Sequence, residues 1–281
     1  MECAKPGSKE GDLCPSGEYY KSILSLLSEA KSKAAIFDKS LFVDCVKLSL
    51  LSGQSELTGN SIDFLIAAFV HELRADICAI SGQATFPKFL VSPFNDTKSE
   101  RCLAEGQLDI NHPTLGIVVT SPRYWLPKYH PTLPMLSETS QMKLDEIEVH
   151  ALREIQAGRN WFCPSMQRCY NAEEHSVRVE FATMCDLKQH GEGHLFKLAK
   201  EGIDIPIVDL GVDGNTVILT YDNSCEPPDE VFYAWGHDFT SDDLIKRGRI
   251  RDSWECESII FPDEKMYRFA LSGRKKILPW A

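Results

Sequence analysis

The chain has 281 residues, 43% hydrophobic and 25% charged, with a formal net charge of −11. This composition suits a globular protein long enough to bury a core. The acidic balance argues against a nucleic-acid face, which needs clustered Lys and Arg to displace counterions, and no apolar run reaches the roughly 20 residues that span a bilayer.

In chain order, residues 1–16 are polar, with Pro and Gly, and read as a loose tail. Residues 17–51 read as helix, with Tyr20, Ile23, Leu24 and Leu27 on one face. Residues 55–60 read as a turn. The stretch SIDFLIAAFVHELRADICAIS follows as a second helix, with Ser61 as N-cap and Asp63 in the first turn. Its apolar residues cover most of the circumference, so burial is expected. His71 within it reads as structural. Residues 85–134, rich in Pro and aromatics, read as irregular surface structure around a short strand, GIVVT. A third helix, SETSQMKLDEIEVHALREIQAG, should end on Gly158 as C-cap.

From Trp161 the pattern changes to period two. SVRVEFATM and DEVFYAW read as strands, and Asp213-Gly214 reads as a turn feeding a strand at Thr216 to Tyr221. A helix-rich N-terminal half followed by short antiparallel strands predicts an α+β fold. The expected segments are a tail at 1–16, a helical region at 17–84, an inserted region at 85–160, a strand-rich core at 161–261 and an extension at 262–281.

Ten cysteines without regular spacing read as free thiols of a reducing compartment. The start, MECAKPGSKEGD, lacks a basic region followed by an apolar run, so no secretory leader is expected and the chain reads as cytosolic or nuclear. Cys163, Cys169, Cys185, His190 and His194 are zinc-type ligands, but five residues separate Cys163 from Cys169 where a knuckle has two to four. No metal is therefore expected. G-x-S-x-G, P-loop and G-x-G-x-x-G motifs are absent. Asp242 and Asp243 read as helix N-terminal charge, and IKRGRIR as a solvated helix end.

The segment NTVILTYDNSCEPPDEVFYAWGHDFTSDDLIKRG resembles the C-terminal core of SET-domain methyltransferases of the RuBisCO large-subunit methyltransferase type. There a hairpin leads through an acidic turn to a strand ending Ser-Tyr-Gly, and a short acid-started helix then reaches a Tyr-Gly pair. Here PPDEVFYAWG and SDDLIKRG take those places. Upstream, PSMQRCY looks like the family's helical Ser-Arg-aromatic segment, ATMCDLKQHG like its Asn-His loop, and FLIAAFVHEL is similar to the helix before its inserted region. The resemblance covers about residues 161–261.

What the resemblance implies is a SET-like core that transfers a methyl group from S-adenosylmethionine to a lysine amine. Arg168, Gln189 and His190 would take the cofactor-holding positions, and Trp235, Tyr233 and His190 would border the transfer channel, where alignment of the reacting atoms supplies rate. Gln189 stands where the family has Asn and Trp235 where it has Tyr. Tyr233 lies two residues earlier on the same strand face, and no Gly-x-Gly precedes the helical region. The chain ends soon after the core, so the family's helical substrate-recruiting domain is expected to be missing. Three functions follow: a divergent lysine methyltransferase, a SET-like fold repurposed as a cofactor-independent enzyme on a small molecule, or a non-catalytic interaction module. The expected partner is accordingly a protein or small-molecule substrate, with neither nucleic acid nor membrane.

Overall fold

The structure, a computed structural model, describes residues 14–48, 59–93, 100–126, 136–173, 175–235 and 249–279. Cα packing divides the chain into two compact units, one of Met1–Ser92 with Gln107–Val119, the other of Pro93–Gly106 with Thr120–Ala281.

The first unit is α/β. Its elements are α1 (Glu18–Ile36), β1 (Cys45–Leu48), α2 (Gly59–Ser81), β2 (Lys88–Val91), α4 (Leu108–Asn111) and β3 (Ile117–Val119), with α3 (Glu100–Glu105) of the second unit intervening. The three strands are parallel in the order β1-β2-β3. A parallel pair needs a long crossover, and α2 supplies it between β1 and β2. Ile62, Ile66, Phe69, Val70, Leu73 and Ile77 form the buried face of α2. Tyr20 of α1 meets Phe69 edge-on and donates its hydroxyl proton to Asp76 at 2.7 Å.

Several expectations are corrected here. The helix read over 17–51 stops at Ile36, where Asp38 takes the left-handed conformation (φ +51°), and the chain then enters β1. Four residues of strand paired only to distant β2 leave too short a period to read. Ser61 is not the N-cap of α2, because the helix already includes Gly59. Nor is α2 buried all round: Phe64 is 72% exposed. The region 85–134 is not simply irregular surface, since Phe89, Leu90 and Val91 of β2 are buried and short helices α3 and α4 follow.

The second unit carries α3, α5 (Glu138–Gln156) and eleven strands: β4 (Ser165–Asn171), β5 (Ser176–Ala182), β6 (Leu187–His190), β7 (Phe196–Lys200), β8 (Ile203–Ile205), β9 (Ile207–Asp213), β10 (Thr216–Tyr221), β11 (Glu230–Tyr233), β12 (Arg249–Glu257), β13 (Lys265–Phe269) and β14 (Gly273–Lys276). They form three antiparallel sheets, β4-β5-β10-β9, β14-β11-β7-β8 and β13-β12-β6. Inward residues alternate with outward ones, so Val177, Val179 and Phe181 of β5 join Val217, Leu219 and Tyr221 of β10 in one core with Leu198, Val231 and Phe269. Over both units the described chain is α+β.

Helix α5 starts as its sequence requires: the Ser137 hydroxyl accepts the Ser140 amide at 3.2 Å, and Gly158 just past its end has φ +74°. The β9–β10 turn at Asp213-Gly214 also forms where read. Two readings are corrected. PSMQRCY, matched to a helical segment, contains strand β4, because alternate residues Met166 and Cys169 fill the sheet core around a register shift. The basic run is not a solvated helix end in its described part: Arg249, Ile250 and Arg251 are buried at the start of β12. The acid-started helix with Gly236, Asp242, Asp243 and Gly248, and the tail up to residue 13, lie outside the described residues.

Candidate functional site

The residues picked from the methyltransferase resemblance lie on three different sheets. Arg168 is exposed on β4, its guanidinium 5.5 Å from the Tyr170 ring. Gln189 is exposed on β6 and donates to the Gly193 carbonyl at 2.7 Å. His190 ends β6 and packs on Tyr267 and Phe269. Tyr233 ends β11 and is fully buried. Its hydroxyl accepts the Ile250 amide at 2.8 Å and lies 3.0 Å from the Tyr124 hydroxyl. Burial pushes the Tyr233 phenol up to about 12. Trp235 stacks on Phe232 with ring centroids 5.3 Å apart, and its indole N–H is buried without an acceptor. Of these residues the structure brings together Tyr233 and His190 in one sense: Ile250 and Arg249, the first residues of β12, touch the former and pair with the latter respectively. Arg168 and Gln189 share neither sheet nor described contact.

The zinc-type residues are similarly dispersed. Cys163 donates to the Thr120 carbonyl at 3.3 Å, and the His194 ring lies 3.1 Å from the Phe196 carbonyl. Among the described residues no three His, Cys, Asp or Glu side chains are arranged to hold a metal, and the nine described cysteines are free thiols. Among the described residues one Cys-His contact is present, Cys256 Sγ to His150 Nε2 at 3.5 Å. Burial and then Glu146 push that thiol up to about 11, so it stays protonated near neutrality and is a poor nucleophile.

A different cluster emerges in the first unit. Parallel strands aim their carboxyl ends at one edge, and ligands of open α/β sheets bind outside that edge. Helix α2 begins there, following β1 through residues 49–58. Asp63, just past the first turn because the helix starts earlier than its sequence suggested, at Gly59, holds the His112 Nε2 at 2.8 Å with Oδ2 and accepts the Asn111 amide at 3.1 Å with Oδ1. His112 thus has its Nε2 fixed, and among the described residues its Nδ1 has no hydrogen-bond partner. Asp109, one helical turn before His112, accepts the backbone amide of Val119 at the carboxyl end of β3. His71, by contrast, is exposed on α2 and lies 3.3 Å from Arg74.

Burial pushes the Asp109 carboxyl up to about 6, against the opposing pull of backbone amides from Ile110 and Val119. The folded state therefore holds this proton more tightly than the unfolded one. The stabilisation is present below about pH 4 and is lost as pH rises through 6. A rise from 3.8 to about 6 is worth about 3 kcal/mol at 1.36 kcal/mol per pH unit. In Asp109→Asn, which keeps an acceptor oxygen without the charge, the drop in urea midpoint between pH 4 and 6 should largely vanish. An unchanged drop in that variant would assign the titration elsewhere.

This cluster was not legible as a site. LDINH offers Asp, Asn and His within four residues, which is a usable signal, but only the pairing of β1, β2 and β3 tells which edge of the sheet it serves.

No protein-family model matches the sequence, and no curated protein matches it. Among solved structures, the fold is similar to that of a carbohydrate acetylesterase from Xanthomonas citri, with a TM-score of 0.53 and 14% identity over 79% of this chain. The match takes in 47% of that enzyme, so this chain spans about half its length. A second, at TM-score 0.28 and 9% identity, is the N-terminal part of the bacterial S-layer protein SbsC, covering 99% of this chain and 59% of that one.

Proposed function

We propose that the chain is a cofactor-independent ester hydrolase that removes acetyl groups from carbohydrate, with its chemistry at the carboxyl edge of β1-β2-β3. The observation that carries this reading is the Asp63–His112 pair at that edge, in a fold similar to that of a carbohydrate acetylesterase. A serine hydrolase needs a nucleophile beside a base whose orientation a third group fixes. Asp63 and His112 supply the base and its orienter. The nucleophile in this reading is Ser55, in SGQSEL between β1 and α2. It lies outside the described residues, and its support is its place in chain order, between β1 and α2.

The steps balance without a cofactor. The Ser55 oxygen attacks the acetyl carbonyl carbon, and its proton passes to the free nitrogen of His112. The ester C–O bond breaks and the sugar hydroxyl leaves with that proton. Water, deprotonated by the same nitrogen, then releases acetate and restores the serine. Amides at the α2 N-terminus carry the partial positive charge that favours the intermediate oxyanion.

Lysine methylation with S-adenosylmethionine, through Trp235, Tyr233, His190, Arg168 and Gln189 on a SET-like core, is a second reading. Its supporting observation is the shared approach of Tyr233 and His190 to the start of β12. Two measurements on the full chain separate the readings: acetate release from acetylated sugars, and calorimetry with S-adenosylmethionine. Acetate release without cofactor binding is the expected result. Cofactor binding below millimolar without acetate release reverses the order of the readings, and neither result leaves the interaction module.

A further inference from the structure

In a chain of net charge −11, one sheet face concentrates positive charge. Strand β12 pairs with β6 in the register Arg249↔His190 and Arg251↔Lys188. Cross-strand partners share a face, as do residues two apart along a strand. Arg249, Arg251, His190 and Lys188 therefore lie on the same side of the β13-β12-β6 sheet. The neighbouring strand adds an aromatic floor, with the Arg249 guanidinium 5.3 Å from the Phe269 ring and that of Arg251 4.3 Å from Tyr267. The His190 ring packs on the same two rings, at 5.5 and 4.8 Å.

A guanidinium stacked on a ring is fixed in plane, which presents its N–H edge to a ligand at little further entropic cost. Arg251 is 9% exposed. Its Nη1 donates to the Asp252 carbonyl at 3.0 Å, and its Nη2 reaches Glu255 at 3.3 Å, while its Nε is buried without an acceptor. Glu255 is already engaged by Lys265 at 2.8 Å. Among the described residues the charged groups on this face are thus Arg249, Arg251, Lys188 and Lys265 against Glu255 and the exposed Glu257, which lies 3.8 Å from Lys265. The field of the arginines is felt at His190, whose imidazole is held below its usual range by burial first, then by Arg249 and Arg251.

We propose that the Arg249, Arg251, His190 and Lys188 face of β12 and β6 binds an oxyanion, a carboxylate or phosphate carried by a small ligand. Charge-assisted bonds from arginine to such groups are the strong, geometrically selective ones. The inference does not rest on ester hydrolysis, and a failure of Ser55 chemistry leaves it standing.

The test follows the His190 ring resonances of the full chain by NMR at constant ionic strength in sodium chloride, during titration with inorganic phosphate, glucuronate and, as neutral control, glucose. Phosphate or glucuronate, or both, should shift those resonances saturably below about 10 mM, and glucose should not. Response to glucuronate alone names a carboxylate ligand, and response to phosphate alone a phosphate one. Arg251→Gln should weaken binding about tenfold or more, the worth of one charged hydrogen bond. Because Arg251 is buried, Lys188→Gln, on an exposed position, serves as the variant whose folding is not at issue and should weaken binding severalfold. No saturable shift with either anion, or equal affinity in Lys188→Gln and the unmodified chain, overturns the proposal.

Discussion

Replacing Ser55 by alanine is expected to lower kcat for acetate release from acetylated sugars by about a thousandfold or more, with KM and thermal stability little changed. Loss of the nucleophile in a serine hydrolase removes covalent catalysis altogether and leaves what binding and the oxyanion donors contribute, so effects of roughly that size or larger accompany it. A structural serine behaves differently: its loss moves stability by about 1 kcal/mol and leaves kcat within a fewfold. Ser61→Ala, an exposed position in the first turn of α2, is the control for local disturbance of the helix start. His112→Ala should cost about a hundredfold or more as the general base. If Ser55→Ala retains activity within threefold, the reading fails at its nucleophile. If Ser55→Ala is inactive while His112→Ala is not, another residue supplies the base and the role given to His112 fails.

The elements that sequence reading finds are those whose signal is local. Helix α5 carries its own cap at Ser137 and its own stop at Gly158, and β5 and β10 alternate over six or seven residues. What escapes is non-local. The strands β1, β2 and β3 have four, four and three residues, too few to show a period, and are held by pairing between distant positions, Cys45 with Lys88 and Phe89 with Ile117. Missing them turns a parallel α/β unit into "helix-rich half plus insertion", and with it hides the edge on which Asp63 and His112 meet. The Arg249–Arg251 run is misread for the opposite reason. Its composition says surface, but β12 lays the stems across Tyr267 and Phe269, which offsets their burial in a way that composition cannot report.

The largest stability effect is expected at Asp252. Arg268 and Asp252 are 2% and 0% exposed and form an ion pair, the Arg268 Nε and Nη2 both donating to Asp252 Oδ2, at 2.8 and 2.5 Å. The other carboxylate oxygen accepts the Trp254 amide at 3.1 Å. The guanidinium lies 5.0 Å from the Trp161 ring and 5.9 Å from Trp254, and those two indoles meet edge-on at 4.9 Å. Burial raises the Asp252 carboxyl despite the arginine beside it, so desolvation outweighs attraction at this site. A pair of this kind adds little over a well-packed apolar substitute, yet removing one partner strands the other charge without water. Asp252→Ala should therefore destabilise the second unit by about 3–5 kcal/mol, read as a fall in urea midpoint. The double variant Asp252→Leu with Arg268→Met should recover most of that loss, because it removes both desolvation costs together. A single-variant cost under about 1 kcal/mol would mean that water or a neighbour such as Met184, whose sulfur lies 3.3 Å from Arg268 Nη1, already satisfies the guanidinium. A double variant no better than the single would assign the stabilisation to the two charges themselves rather than to avoiding an unpaired one.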